Sequence, residues 1–137
     1  MKLGILGAGG IASTMAKTVA EMKGVEVYAV AARDLERARV FAQKYEVKKA
    51  YGSYEEMLAD PEIDAVSVCV ANHVHAEITI AALKAGKHVL CEKPMATKLK
   101  DCQMMVDTAE QMSKKLMIGQ NQRFAKAHAE AKKLIER

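Results

Sequence analysis

The first fifteen residues constrain this chain more than any others. Leu3-Gly4-Ile5-Leu6 is a short apolar run, Gly7-Ala8-Gly9-Gly10-Ile11-Ala12 is a glycine-rich turn, and a helix-compatible stretch follows. That order reads as a buried strand feeding a tight turn into a helix, the opening of a βαβ unit that holds a dinucleotide. Gly7 permits the turn. Gly9 puts no side chain between the backbone and a pyrophosphate. Gly10 and Ile11 open the helix, and Ala12 is small enough for helix and strand to pack closely. A pyrophosphate there would face backbone N–H groups at the positive end of the helix dipole. Gly7, Gly9, Gly10, Ile11 and Ala12 are therefore the first cofactor-binding candidates.

Strand and helix signals then alternate to the end of the chain, which predicts a parallel sheet covered by helices on both faces. Strands are expected at about Lys2–Leu6, Val25–Ala31, Lys49–Tyr51, Ala65–Val70, Lys87–Cys91 and Leu116–Gly119. Helices are expected at about Gly10–Met22, Leu35–Tyr45, Ala76–Lys84 and Ala125–Glu136, with a short one after the Ser53 N-cap that ends near Asp60-Pro61. A further helix carries Leu99, Cys102, Met105, Val106, Ala109 and Met112 at helical spacing, a stripe expected to face the core. The fold class is thus α/β, a doubly wound, Rossmann-type sheet of six mostly parallel strands. Residues 1–124 form the dinucleotide-binding domain, and 125–137 form a helix leading out of it.

Bulk properties exclude several classes. The chain has 137 residues, half of them apolar and 28% charged, enough for one core. No run of eighteen apolar residues suggests a membrane span, and no secretory signal is expected, since Met1-Lys2-Leu3 leads straight into a strand. Cys69, Cys91 and Cys102 form no C-x-x-C pair, so a reducing cytoplasm is expected. From Ser113 to Arg137 seven Lys/Arg face two Glu, a balance of +5, while the preceding residues balance at −1. These charges follow helical spacing and lack aromatic neighbours for base stacking, so a solvated helix face is expected and no nucleic-acid partner.

In such a sheet, ligands bind outside the carboxyl ends of the strands. After the second strand stands Ala32-Arg33-Asp34. The acid that usually bonds a ribose 2′-OH would stand near position 32, which is alanine, and Arg33 offers a planar, multi-donor partner for a 2′-phosphate. NADP is therefore expected over NAD, with Asp34 either reaching the ribose or capping the next helix. After the fourth strand, Asn72 and His75 either touch the ligand or cap a helix. His73 and His75 have no third ligand nearby in sequence, so no metal is expected. After the fifth strand, Cys91-Glu92-Lys93-Pro94 places a lysine at the mouth of the sheet, either an acid–base group or a surface lysine beside a turn proline.

Together these segments resemble the glucose–fructose oxidoreductase, inositol dehydrogenase and rhizopine-catabolism family, written Gfo/Idh/MocA. The resemblance rests on Gly7–Ala12, Asn72-His73-Val74-His75, Gly86–Pro94 and Gly119-Gln120-Asn121-Gln122-Arg123-Phe124. Ala31-Ala32-Arg33-Asp34 resembles NADP-using members that act on sugars or trans-dihydrodiols. The resemblance implies that Arg33 faces the 2′-phosphate, that Asn72 and His75 lie by the ribose and nicotinamide, and that Glu92 helps hold the cofactor. It implies that Lys93 is the catalytic lysine, that the Lys93–Pro94 bond is cis, and that Arg123 marks the exit from the nucleotide domain. Members of the family run to about twice this length. The second, substrate-binding domain is accordingly expected to be absent here, and with it most of the interface of a homo-oligomer.

The resemblance implies hydride transfer between NADP(H) and a sugar, polyol or dihydrodiol-type carbinol, with this chain as the nucleotide-binding half and inactive alone. The alternative is a non-catalytic NAD(P)-binding or sensor module of the same family. A methyltransferase also begins with a glycine-rich turn, but it would want an acid where Ala32 stands.

Overall fold

A computed structural model describes residues 1–136; Arg137, the last residue of the expected terminal helix segment, lies outside the described residues. Six strands form one parallel sheet: β1 (Lys2–Leu6), β2 (Glu26–Ala31), β3 (Lys49–Tyr51), β4 (Ala65–Val68), β5 (His88–Cys91) and β6 (Leu116–Ile118). Their spatial order is β3-β2-β1-β4-β5-β6. The order reverses between β1 and β4, the switch point of a doubly wound Rossmann-type sheet.

Six α-helices connect and follow the strands: α1 (Gly10–Ala20), α2 (Leu35–Lys44), α3 (Tyr54–Leu58), α4 (His75–Lys84), α5 (Leu99–Gln111) and α6 (Lys126–Ile135). Successive strand residues point to opposite faces, so each face has its own core. Ile5 and Val30 pack on one face with Ala12 and Ala16 of α1 and Ala38 and Phe41 of α2. Leu6, Val66 and Val68 pack on the other with Met57, Leu83 and Met105. Burial on both faces explains why the central strands are continuous apolar runs rather than alternating ones.

Several element ends differ from the expected ranges by a residue or two, and one expected core face is only partly covered. β4 ends at Val68, two residues early, although the Cys69 N–H still donates to the Leu6 carbonyl of β1 at 2.8 Å. α4 begins one residue early, at His75. On α5 only part of the expected stripe is covered. Met105 and Ala109 are buried, but Leu99 is 86%, Val106 39% and Met112 38% exposed. β6 is the edge strand, so α5 leans on α4 and lacks a neighbour on its other side. Among the described residues α6 likewise buries no residue, and it packs mainly against the short 3-10 turn Asn121–Phe124 before it.

The amino ends of the strands are tied by a polar cluster. The buried Asp60 accepts hydrogen bonds from the Lys49 ammonium at 2.8 Å, the Tyr51 hydroxyl at 2.7 Å and the Glu62 N–H at 3.0 Å. Those donors, Lys49 first, hold its carboxyl well below the usual carboxylate range. Lys87, also buried, donates to the carbonyls of Asp60 at 2.6 Å and Ile63 at 2.9 Å. A depressed folded pKa stabilises the protein above the ordinary carboxylate value, and that stability is lost as pH falls below about 4. Asp60→Asn is therefore expected to lower the melting temperature at pH 7, and the gap with the unsubstituted chain to narrow steadily as pH falls from about 4 toward 2. Melts at several pH values check this, and a gap independent of pH would contradict it.

Candidate functional site

A cleft of about 630 Å³ opens over the carboxyl ends of β1 to β4. Its walls are the segments that follow those strands: Gly7-Ala8-Gly9, Ala32-Arg33-Asp34, Gly52–Glu55 and Cys69-Val70-Ala71. The switch point between β1 and β4 thus becomes a real depression, because the chain leaves these two strands in opposite directions.

Its floor is the glycine turn. Gly7 has a φ of +104°, and its N–H donates to the Ala31 carbonyl at 2.8 Å. A Cβ built on Gly7 would stand 2.5 Å from the Cys69 carbonyl oxygen, so the turn and the end of β4 approach as closely as glycine allows. Gly9 is the N-cap of α1 and no side chain bonds back to the helix there. A Cβ on Gly9 or on Gly10 would meet nothing within 4 Å. The first turn of α1 carries no acid. The first N–H groups of α1 thus have no side-chain cap and no acid beside them, and the positive end of the helix dipole is uncompensated, the environment a pyrophosphate needs. Gly10 and Ile11 are exposed at this helix start, whereas Ala12 is fully buried against the strands and can offer a ligand only its N–H.

At the far end of the cleft, Arg33 stands beside Asp34. The Asp34 carboxylate accepts the Glu36 N–H at 2.9 Å and caps α2. Of the two roles open in the sequence, capping is the one the structure shows. A second guanidinium, Arg37, lines the same end and lies within 3.4 Å of the Ala8 carbonyl. Tyr54 sits between them and the core, and burial raises its phenol despite both arginines. The sequence reading missed Arg37. Its place three residues into the helix that Asp34 caps was the available signal. Glu55 and Glu77 also line the cleft, so positive charge dominates only at the Arg33–Arg37 end.

The candidates after β5 lie beyond this cleft. Glu92 is half-buried, its carboxylate packed over Gly119 of the chain after β6. Lys93 and Pro94 are exposed, and the bond between them is cis. Asn72 is exposed in the 3-10 turn Asn72–Val74 and Arg123 in the later one, both outside the cleft lining. His75, expected beside the ribose and nicotinamide, does not line the cleft. It is fully buried, with Nδ1 2.7 Å from the Pro94 carbonyl oxygen and Nε2 3.1 Å from that of Val70. Both ring nitrogens face backbone carbonyl oxygens, and neither is turned to the cleft. Its neighbour His73 takes its place in the cleft wall.

Cys69, in the wall, is pushed up to about 11, chiefly by burial, and stays a thiol at neutral pH. The cleft therefore holds no thiolate nucleophile. Its uncapped helix start and two guanidinium groups suit a phosphorylated ligand.

The model of an oxidoreductase family with an NAD-binding Rossmann fold matches residues 1–120. The chain belongs to the Gfo/Idh/MocA oxidoreductase family. It is similar to trans-1,2-dihydrobenzene-1,2-diol dehydrogenase of Xenopus tropicalis, 38% identical over 136 residues, which cover 98% of this chain and 41% of that one. It is similar to myo-inositol 2-dehydrogenase of Thermotoga maritima, 34% identical over 136 residues, with 99% and 41% covered. Among solved structures, a 3-ketoreductase of Actinomadura kijaniata in complex with TDP-benzene and NADP superposes with a TM-score of 0.93 at 27% identity, covering 99% of this chain and 43% of that one. The chain spans 35% to 41% of the length of the curated Gfo/Idh/MocA relatives it matches. No helix among the described residues is long and apolar enough to cross a membrane.

Proposed function

We propose that this chain is the nucleotide-binding part of an oxidoreductase that prefers NADP(H) to NAD(H) and acts on a sugar, polyol or dihydrodiol-type carbinol. The observation that carries the cofactor preference is the end of β2. Ala32 removes the acid, Asp34 spends its carboxylate on the cap of α2, and Arg33 and Arg37 face the same cleft end. A 2′-phosphate is the dianion that such a pair recognises.

Gly9, Gly10 and the start of α1 would hold the pyrophosphate, Arg33 the 2′-phosphate, and the walls after β3 and β4 the adenosine. The nicotinamide half would then extend past β4 toward β5, which is paired to it, and so toward Glu92 and Lys93. When bound, the cofactor supplies hydride exchange with a substrate carbon. Lys93 is the acid–base group: exposed at a strand end, its neutral amine can take the hydroxyl proton of a carbinol placed against it, and its ammonium can return a proton to the carbonyl oxygen in the reverse direction. The relatives' dihydrodiol and inositol dehydrogenase activities support the substrate class. The three thiols, none in a disulfide, suit a reducing compartment such as the cytoplasm.

Fluorescence titration tests the reading. NADPH is expected to bind more tightly than NADH, and Arg33→Ala to weaken NADPH about tenfold while changing NADH less than about twofold. Equal affinities for the two cofactors, or an equal loss of both in Arg33→Ala, would remove the NADP preference.

A further inference from the structure

His75 lies at the first turn of α4, yet its ring spans the ends of two other strands. Nε2 faces the carbonyl of Val70, two residues beyond β4, and Nδ1 the carbonyl of Pro94, three residues beyond β5. The Nδ1 contact is the shorter, 2.7 Å against 3.1 Å. Both partners are acceptors, so a ring nitrogen holds either of them only by donating its proton.

The segment from Lys93 to Thr97 needs such a hold. Among the described residues none of its backbone N–H groups donates to another backbone group, and none of its carbonyls accepts from one. Met95 and Ala96 press on the core, and the Cys91 thiol stands 4.0 Å from the Met95 carbonyl. The Pro94 carbonyl, one peptide from Lys93, is fixed by His75. A buried imidazole thus sets where the exposed lysine stands relative to the end of β4.

We propose that His75 is a positioning residue: its Nδ1–H bond to the Pro94 carbonyl fixes the Lys93 segment just beyond the cleft, on the side to which the nicotinamide would extend. It does not touch the cofactor. Its effect on the nicotinamide end rests on the dinucleotide reading above; its hold on the segment does not.

Three variants separate the two nitrogens. His75→Phe keeps the ring and removes both contacts. His75→Asn keeps a donor near the Nδ1 place, and His75→Gln one near the Nε2 place. In 15N relaxation measurements on the chain, His75→Phe is expected to loosen the Lys93 and Met95 amides and leave those of Gly9 and Gly10 unchanged. His75→Asn restores them and His75→Gln does not. In titrations, His75→Phe is expected to weaken NADPH about fivefold, and 2′,5′-ADP, which lacks the nicotinamide, less than about twofold.

Rescue by Gln instead of Asn, unchanged Lys93 and Met95 amides, or equal losses for NADPH and 2′,5′-ADP would overturn the proposal. Failure of all three variants to fold would do the same, since it assigns His75 to the fold alone. If the unsubstituted chain binds neither nucleotide, the dinucleotide reading falls while the relaxation data still decide whether His75 holds the Lys93 segment.

Discussion

Replacing Gly9 with valine is expected to abolish cofactor binding and leave the fold intact. Gly9 has φ −101° and ψ −167°, an extended conformation that a β-branched residue adopts without strain. A Cβ there meets no atom within 4 Å, so the melting temperature should move by no more than about 2 °C, as for surface substitutions generally. The same empty space lies directly before the N–H groups that open α1. A pyrophosphate reaches those groups only through it, and an isopropyl group fills it. With the helix dipole and several N–H bonds lost together, NADPH affinity should fall by about a thousandfold or more. Fluorescence titration and a thermal melt on the same sample check both halves. A valine variant that still binds NADPH normally would mean that the pyrophosphate does not cross Gly9.

The parts of this architecture that the sequence reveals are those decided within a few residues. β1 at Lys2–Leu6 and β3 at Lys49–Tyr51 are placed to the residue, and the Ser53 hydroxyl does cap α3, accepting the Glu56 N–H at 3.1 Å. Each rests on a local signal: an apolar run, a turn, a capping side chain. The strand order follows from crossover rules once six strands alternate with helices. What escapes the sequence depends on groups brought together from far apart. Nothing local distinguishes Met105, which is buried, from Val106, which is not; the edge position of β6 makes the difference. Arg37 reads as an ordinary helix-face arginine until α2 is set beside the glycine turn. His75 reads, from its type and position, as a group that either touches a ligand or caps a helix. Its actual partners are the carbonyls of Val70 and Pro94, the latter nineteen residues away, and only packing discloses them.

Gly7→Ala should have the opposite signature, a large loss of stability. Gly7 is held at φ +104°, where a Cβ costs about 1 kcal/mol before any contact is counted. That Cβ would also stand 2.5 Å from the Cys69 carbonyl oxygen and 3.0 Å from its carbon, which are backbone atoms and cannot rotate aside. Relief by movement is blocked on both sides. The Gly7 N–H is bonded to Ala31 at the end of β2, and the Cys69 N–H to Leu6 at the end of β1, each at 2.8 Å. To admit one methyl group, β1 and β4 must part at the centre of the sheet, where Leu6 and Val68 are fully buried. Strain and lost packing together should cost about 4 kcal/mol, a fall in melting temperature of about 15 °C for a domain of this size. Denaturant unfolding with an unchanged m-value would assign that loss to the native state. A fall of only a few degrees would show that β1 and β4 are not clamped at this point. Two glycines of one turn thus have separable duties. Gly9 keeps space open for a ligand, so its substitution is felt only when cofactor is added. Gly7 lets two strands meet, so its substitution is felt whether or not cofactor is present.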